Sequence, residues 1–173
     1  MKAVQSAVFA WNAPERRAAI DPRRLGPGGS SLAAYLELWR GARAGDMPAL
    51  LGRIHARGLD GRVLVLDYDR AGAFLYRFFG SGLTFVDAIG RAALIGRPAE
   101  AFGDRQTVLA SRAGYLEAVE RDAPVCELVD RPRLDPSGRQ LPRTPFRRLI
   151  LPVPVDRRMA RLIVASELLP AGA

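Results

Sequence analysis

Three residue types that support much of protein chemistry are almost missing from this chain of 173 residues, which contains Lys2, His55 and Cys126 but no other lysine, histidine or cysteine. A single cysteine cannot form an internal disulfide, which excludes the disulfide framework of small secreted proteins. One cysteine and one histidine also cannot supply the three or four ligands of a zinc site, so we expect no metal centre.

Long hydrophobic runs are missing too. Every apolar run is far below the ~18 residues that span a bilayer. The opening MKAVQSAVFAWN has one lysine and a short run interrupted by Gln5 and Ser6, which makes a poor signal peptide. We therefore expect a cytoplasmic protein with no membrane partner.

The basic charge of the chain is large but dispersed. The formal net charge is +8, and 25 of the 26 basic residues are arginines, many of them beside an acidic residue. Dispersed charge favours a solvated surface over a nucleic-acid groove, so nucleic acid is not the favoured partner. An alternative function is a nucleic-acid-associated regulator that uses the N-terminal arginines and the late group Arg143, Arg147, Arg148, Arg157 and Arg158.

Glycine and proline positions divide the chain into an N-terminal tail or linker over residues 1–30, one domain over residues 31–169 and a short C-terminal tail over residues 170–173. Ser30 or Ser31 can cap a helix that carries one apolar stripe, formed by Leu32, Tyr35, Leu36 and Trp39. This stripe either covers the domain's own sheet or joins a second subunit, and the sequence favours neither alternative. We expect a homodimer, for which these four residues are the candidate interface.

A β-hairpin is predicted by two alternating apolar runs that flank Arg70-Ala71-Gly72 in RVLVLDYDRAGAFLYRFFGSGLT, residues 62–84. Strict alternation in the second strand puts Phe74, Tyr76 and Phe78 on one face. A helix capped by Asp104 is predicted as far as Arg121. Strands are predicted at residues 125–134, 146–153 and 159–168, and we expect a single antiparallel sheet.

This order of a helix, two strands, helices and three strands resembles the PAS sensor fold over residues 31–169. The pieces that carry the resemblance are SLAAYLELWRGARAGDMP followed by VLVLDYDRAGAFLYRFFGSGL, then LIGRPAEAF and FRRLILPVPVD. They look like stand-alone bacterial PAS-like proteins in which an amphipathic helix precedes the first strand.

The resemblance implies an α+β fold with a five-stranded antiparallel sheet, helices packed on one face and an N-terminal amphipathic helix. It also implies a central pocket, for which the candidate residues are Tyr76, Phe78, Phe85, Phe102 and Tyr115. The alternative is that these aromatic residues are plain core.

Two PAS cofactors are disfavoured by the residues present. Flavin-binding members carry a reactive cysteine on a helix in an Asn-Cys-Arg motif, whereas Cys126 follows Ala123-Pro124 and is predicted in a strand. Heme-binding members use a histidine from the helical middle of the domain, and residues 85–121 contain none. The identity of any cofactor stays open.

The sequence gives little indication of a catalytic site. His55 with Ser81 or Ser111 would need a nucleophile elbow that neither serine has, and Glu117 is placed for a surface ion pair with Arg121. We therefore predict a non-enzymatic PAS-like sensory or signalling adaptor that binds a small ligand, a protein partner or both. A small α+β enzyme is a further alternative.

Overall fold

The fold is built on one antiparallel sheet. A computed structural model of the chain describes residues 16–25, 30–42, 46–69, 71–83, 88–99, 105–130, 133–134, 140–141 and 145–169. The strands are β1 (Arg16–Ile20), β2 (Val63–Asp69), β3 (Phe74–Phe79), β4 (Val125–Asp130), β5 (Arg133–Leu134), β6 (Gln140–Leu141), β7 (Phe146–Pro154) and β8 (Met159–Leu168). Six of them form the sheet in the order β1-β4-β7-β8-β2-β3, and β5 pairs with β6 separately.

Four helices accompany the sheet: α1 (Ser31–Arg40), α2 (Met47–Ala56), α3 (Ala88–Leu94) and α4 (Arg105–Arg121). The Ser30 hydroxyl caps α1 by accepting a hydrogen bond from the Leu32 amide, and Asp46 caps α2 in the same way through the Ala49 amide. The order of elements and the antiparallel pairing confirm the predicted α+β, PAS-like fold class.

Alternation along the strands gives the sheet two apolar faces. We call one the inner face; it packs against α3 and α4 and includes Leu64, Leu66, Ile150, Leu162 and Val164. We call the other the outer face; it packs against α1 and α2 and includes Val63, Val65, Leu149, Leu151 and Ile163. Within residues 60–169 the helices therefore lie on one face, as predicted, while α1 and α2 cover the opposite face.

The sheet has one strand more than the sequence predicted. Residues 1–30 were expected to be a tail, but Arg16–Ile20 pairs antiparallel with β4, from Arg16 opposite Asp130 to Ile20 opposite Cys126. Strand β1 satisfies backbone groups that would otherwise be unpaired at the β4 edge. Ile20 packs against the outer core and Leu25 is buried in it, so apolar contacts hold this segment as well.

The hairpin between β2 and β3 fixes the position of the aromatic residues. Its turn passes through Gly72, whose φ of +115° is unfavourable for residues with a side chain. The Asp69 side chain accepts a hydrogen bond of 2.7 Å from the Ala73 amide and closes the turn. The predicted hairpin and its turn are thus present in the structure.

No helix in the described part of the chain has the length and apolar character needed to cross a membrane.

Candidate functional site

Aromatic rings collect on the inner face between the sheet and α4. The Phe74 ring lies 4.5 Å from Tyr68 and 5.4 Å from Tyr115, measured between ring centroids, and the rings of Tyr76 and Phe79 lie 4.8 Å apart. These spacings are typical of interacting aromatic pairs. The inner face therefore holds the structure's main aromatic cluster among the described residues.

The predicted pocket residues are only partly brought together. Tyr76 and Tyr115 are both buried in the inner-face core, and the Tyr76 hydroxyl donates a hydrogen bond of 3.4 Å to the Ala99 carbonyl. Phe85 and Phe102 lie outside the described residues. Phe74 was predicted on the same face as Tyr76 but was not among the candidate pocket residues, and strict alternation placed Phe79 on the opposite face.

Phe78 is not part of the inner face, contrary to the expectation from strict alternation. The register shifts between Val65, which pairs with Phe78, and Leu66, which pairs with Tyr76, so Arg77 is the extra residue of a β-bulge. The bulge turns Phe78 onto the outer face, where its side chain is 42% exposed, and gives the inner-face position to Phe79. A one-residue change in register is enough to exchange the two faces of a strand.

A buried ion pair lies beside this cluster. Glu127 and Arg148 are cross-strand neighbours on β4 and β7, and both are almost completely buried. The Arg148 guanidinium donates to Glu127 Oε2 from Nη2 at 2.6 Å and from Nε at 3.1 Å. Its Nη1 donates to the Ser111 hydroxyl at 3.0 Å, and its central carbon lies 5.3 Å from the centre of the Tyr115 ring. Arg148 therefore links α4 to the sheet.

A second arginine borders the cluster on the hairpin side. Arg112 Nη2 donates a hydrogen bond of 2.5 Å to the Gly72 carbonyl, and its guanidinium lies 5.3 Å from the centre of the Phe74 ring. Arg112 and Arg148 thus lie on either side of the Phe74–Tyr115 pair. Flat rings flanked by guanidinium groups can hold a planar or anionic small molecule through stacking and charge-assisted hydrogen bonds.

The sequence left the role of the α1 stripe open, and the structure shows that it covers the chain's own sheet. Leu32, Tyr35 and Leu36 are buried in the outer core, and Trp39 packs against it. The Trp39 indole donates a hydrogen bond of 2.7 Å to the Pro152 carbonyl, and the Tyr35 hydroxyl donates to the Leu59 carbonyl. A homodimer built on these four side chains would require α1 to leave this core.

His55 and Ser111, one of the two pairs considered from the sequence, lie apart in the described part of the chain. His55 Nδ1 lies 2.9 Å from Asp60 Oδ2 on the surface, while Ser111 contacts Arg148 on the inner face. Glu117 forms the expected surface pair with Arg121 at 2.6 Å. Among the described residues there is also no group of three or more histidine, cysteine or acidic side chains that could hold a metal ion.

The late arginine group is divided by the fold. Arg148 is buried against Glu127, and Arg147 pairs with Glu167 at 2.8 Å. Arg157 and Arg158 are exposed in the β7–β8 turn. At a rise of about 3.3 Å per residue, this turn lies roughly 30 Å from Arg147 along the strand direction. Arg143 lies outside the described residues.

No family model matches the chain, and no curated protein matches it. Among solved structures, the chain is similar to an RNA-binding light-oxygen-voltage receptor, with 18% identity and a TM-score of 0.42. The similarity covers 92% of this chain and 40% of the receptor chain, so this chain spans less than half the receptor's length.

Proposed function

We propose that this chain is a non-enzymatic PAS-like sensory or signalling adaptor that binds a small ligand between the inner face of the sheet and α4. The observation that carries the proposal is the buried Glu127–Arg148 pair, which contacts Tyr115 and Ser111 of α4 within the aromatic cluster. It is supported by the PAS-like order of elements, which places α3 and α4 over this face.

Stability alone is a poor explanation for this ion pair. Burying two charges costs desolvation energy that their attraction often fails to recover, and well-packed apolar replacements are frequently as stable or more stable. The pair does provide a polar link between sheet and helix that a bound molecule can break or strengthen. A ligand that changes the Arg148–Ser111 contact would shift the balance between two positions of α4, which is the basis of a sensor.

The side chains also favour a noncovalent ligand over a cysteine-attached flavin. Cys126 lies in β4 and is buried in the outer core with α1 and α2, on the opposite face from Tyr115. Burial raises the pKa of its thiol to about 11, which keeps it in the unreactive protonated form at neutral pH. We also propose that no histidine ligates heme on the inner face, since His55 lies at the end of α2.

Native mass spectrometry and an absorption spectrum of the freshly purified full chain test this function. We expect a retained molecule whose mass is lost on denaturation. Tyr115→Leu removes the ring under Arg148 and should lower the retained fraction, whereas Tyr115→Phe should keep it. Leu109→Ala changes an exposed residue of the same helix and serves as the matched control.

Two results would contradict the proposal. One is a native spectrum that shows only the bare chain together with an absorption spectrum of aromatic residues alone. The other is a retained molecule whose occupancy is the same in wild type, Tyr115→Leu and Leu109→Ala, because such a molecule would bind elsewhere.

A further inference from the structure

The outer face carries a second charged cluster at the end of the sheet near the β2–β3 and β7–β8 turns. Asp67 on β2 pairs across the sheet with Arg161 on β8, and its carboxylate is only 2% exposed. Arg161 donates from Nε to Asp67 Oδ1 and from Nη2 to Oδ2 at 3.0 Å. Arg77 on β3 donates from Nε to the same Oδ2 at 2.6 Å.

One carboxylate therefore holds two guanidinium groups, although one would be enough. The two-point contact of Arg161 already uses both oxygens of Asp67. Arg77 adds a second positive charge beside the same carboxylate, so Asp67, Arg77 and Arg161 together carry a net charge of +1.

Both arginines keep donors for another molecule. The Arg77 side chain is 44% exposed and that of Arg161 is 28% exposed. Among the described residues, Arg77 uses only Nε in its contact with Asp67, and Arg161 Nη1 makes no hydrogen bond. Since each guanidinium has five N–H donors in a rigid fork, several remain directed away from Asp67.

The β-bulge adds an aromatic ring to this surface. Because Arg77 and Phe78 both stand opposite Val65, they lie next to each other on the outer face. Without the bulge, Phe78 would pair with Leu64 and face inward, as Phe79 does now. The bulge leaves the large apolar side chain of Phe78 42% exposed to solvent on the outer face. Bulges are frequent where a strand must redirect a side chain at a functional site.

We propose that Arg77, Arg161 and Phe78 form a binding site for a small ligand that carries a phosphate or carboxylate group beside an aromatic or other apolar ring. The two guanidinium groups bind the anion, and Phe78 packs against the ring. Asp67 is a positioning residue: it fixes both arginines before the ligand arrives and so lowers the entropy cost of binding. This site lies on the face of the sheet opposite the proposed inner-face site and does not depend on it.

Phenyl phosphate and benzoate are suitable probes, because they place a ring beside a phosphate and a carboxylate respectively. Each is titrated into the full chain while the side-chain Nε–H signals of Arg77 and Arg161 are followed by NMR. We expect saturable shifts at both arginines. The probe that binds more tightly identifies the preferred anion, and phenol at the same concentrations should cause no saturable shift.

Matched variants separate the site from general attraction to a basic protein. Arg77→Gln should weaken phenyl phosphate binding at least about tenfold, because hydrogen bonds to charged groups contribute more than neutral ones. Phe78→Ser should weaken phenyl phosphate but leave inorganic phosphate unchanged. Arg121→Gln removes one exposed charge on α4 and should change neither.

The proposal is overturned if neither probe gives a saturable shift at Arg77 and Arg161. It is also overturned if Arg121→Gln weakens binding as much as Arg77→Gln, since that result shows attraction by net charge. If Arg77→Gln proves unstable, Arg77→Lys keeps the charge but loses the planar fork, and binding as tight as wild type would then contradict recognition by the guanidinium pair.

Discussion

The Asp67 side chain is almost completely buried and pairs with two arginines. Burial and these two positive charges change its pKa in opposite directions. Burial alone would raise the pKa of this carboxyl group. Hydrogen bonds from Arg161 and Arg77, together with their charges, outweigh burial and lower the pKa below the usual 3.8. The carboxylate is therefore stabilised by folding.

This shift predicts a pH dependence of stability. A carboxyl group with a depressed pKa in the folded state stabilises the fold fully above its unfolded pKa, and that contribution is lost as the pH falls from about 4 through the folded value. We expect Asp67→Asn to be less stable than wild type at neutral pH and to show a weaker decline toward acid pH. Urea unfolding between about pH 3 and pH 7 measures this, with exposed Glu120→Gln as control. An unchanged decline in Asp67→Asn would show that Asp67 does not carry it.

The Glu127–Arg148 pair gives a second prediction at the residue scale. Arg148→Met should destabilise the fold by about 3 to 5 kcal/mol, because it removes the positive charge and the two hydrogen bonds that Arg148 gives to the buried Glu127 carboxylate. The double variant Glu127→Leu with Arg148→Met should recover most of this loss, because both buried charges are removed together. Urea unfolding of the two single variants and the double variant gives the coupling energy. Additive losses would show that the two charges are not coupled.

The double variant also connects stability to function. If the pair serves ligand binding rather than folding, the double variant should be folded but should lose the molecule retained by wild type. A folded double variant that still retains it would separate the ion pair from the ligand site.

At the scale of elements, α1 is fixed to the sheet at both ends. Near its start, Glu167 of β8 accepts hydrogen bonds from the Ser30 hydroxyl at 2.9 Å and from the Ser31 amide at 2.8 Å. Near its end, the Trp39 indole bonds to the Pro152 carbonyl of β7. Between these points the apolar stripe is buried. Helix α1 is therefore an integral part of the domain's outer layer.

We accordingly predict that Leu36→Ala combined with Trp39→Ala destabilises the domain by about 4 kcal/mol or more, since large-to-small changes in a core cost about 2 to 5 kcal/mol each. The mass measured by light scattering for the fraction that stays folded should equal that of wild type. Urea unfolding supplies the stability. A folded variant of lower mass than wild type would instead show that this stripe holds two copies together.

Strand β1 depends on pairing with a single neighbour, β4. Successive residues of an edge strand direct their N–H groups alternately toward the neighbour and toward solvent. Of Ala18→Pro and Ala19→Pro, one therefore breaks a ladder hydrogen bond and the other does not. We expect only the variant that breaks a ladder hydrogen bond to speed hydrogen exchange at β4 amides. Equal exchange in both variants and in wild type would show that β1 contributes nothing to the edge.

The elements that could be predicted from the sequence are those with a strong local pattern. The strand at residues 146–153 has an apolar run bounded by turn residues. The helix ending at Arg121 packs Tyr115, Leu116 and Val119 on the inner face, whereas Leu109 of the same helix is 52% exposed. Strand β1, with the sequence RRAAI, has a single β-branched residue and forms because β4 offers it a partner. The bulge at Arg77 is likewise set by packing of Tyr76 and Phe79, which alternation alone does not reveal. Neither strand β1 nor the bulge was predicted, because both depend on tertiary contacts that the local sequence does not show.

The candidate site was harder to predict than the fold for a related reason. Arg148 and Glu127 are 21 positions apart and look like ordinary surface charges in their local sequence. Only the pairing of β4 with β7 brings them together, and only the position of α4 buries them. The aromatic residues of the hairpin gave a usable indication of the inner face, but the charged groups beside them gave none.

At the scale of the whole molecule, the net charge of +8 is spread over a surface on which acidic partners neutralise several arginines. Asp67, Glu127 and Glu167 together pair with four of them. The described residues therefore do not join the late arginines into a continuous basic groove. Such a distribution supports weak, nonspecific attraction to polyanions better than recognition of a defined nucleic acid.

Nucleic-acid binding by the full chain should consequently be weak, nonspecific and strongly salt-dependent. In filter binding with RNA and DNA oligonucleotides at physiological salt, we expect dissociation constants of ~10⁻⁶ M or weaker and an affinity that falls steeply as salt rises. Two double variants are compared. One is Arg157→Gln with Arg158→Gln in the β7–β8 turn, and the other is Arg23→Gln with Arg24→Gln near β1. All four arginines are exposed, so each pair removes the same charge and should produce the same small loss. Tight binding that resists salt and disappears with only one pair would instead identify a dedicated nucleic-acid surface there.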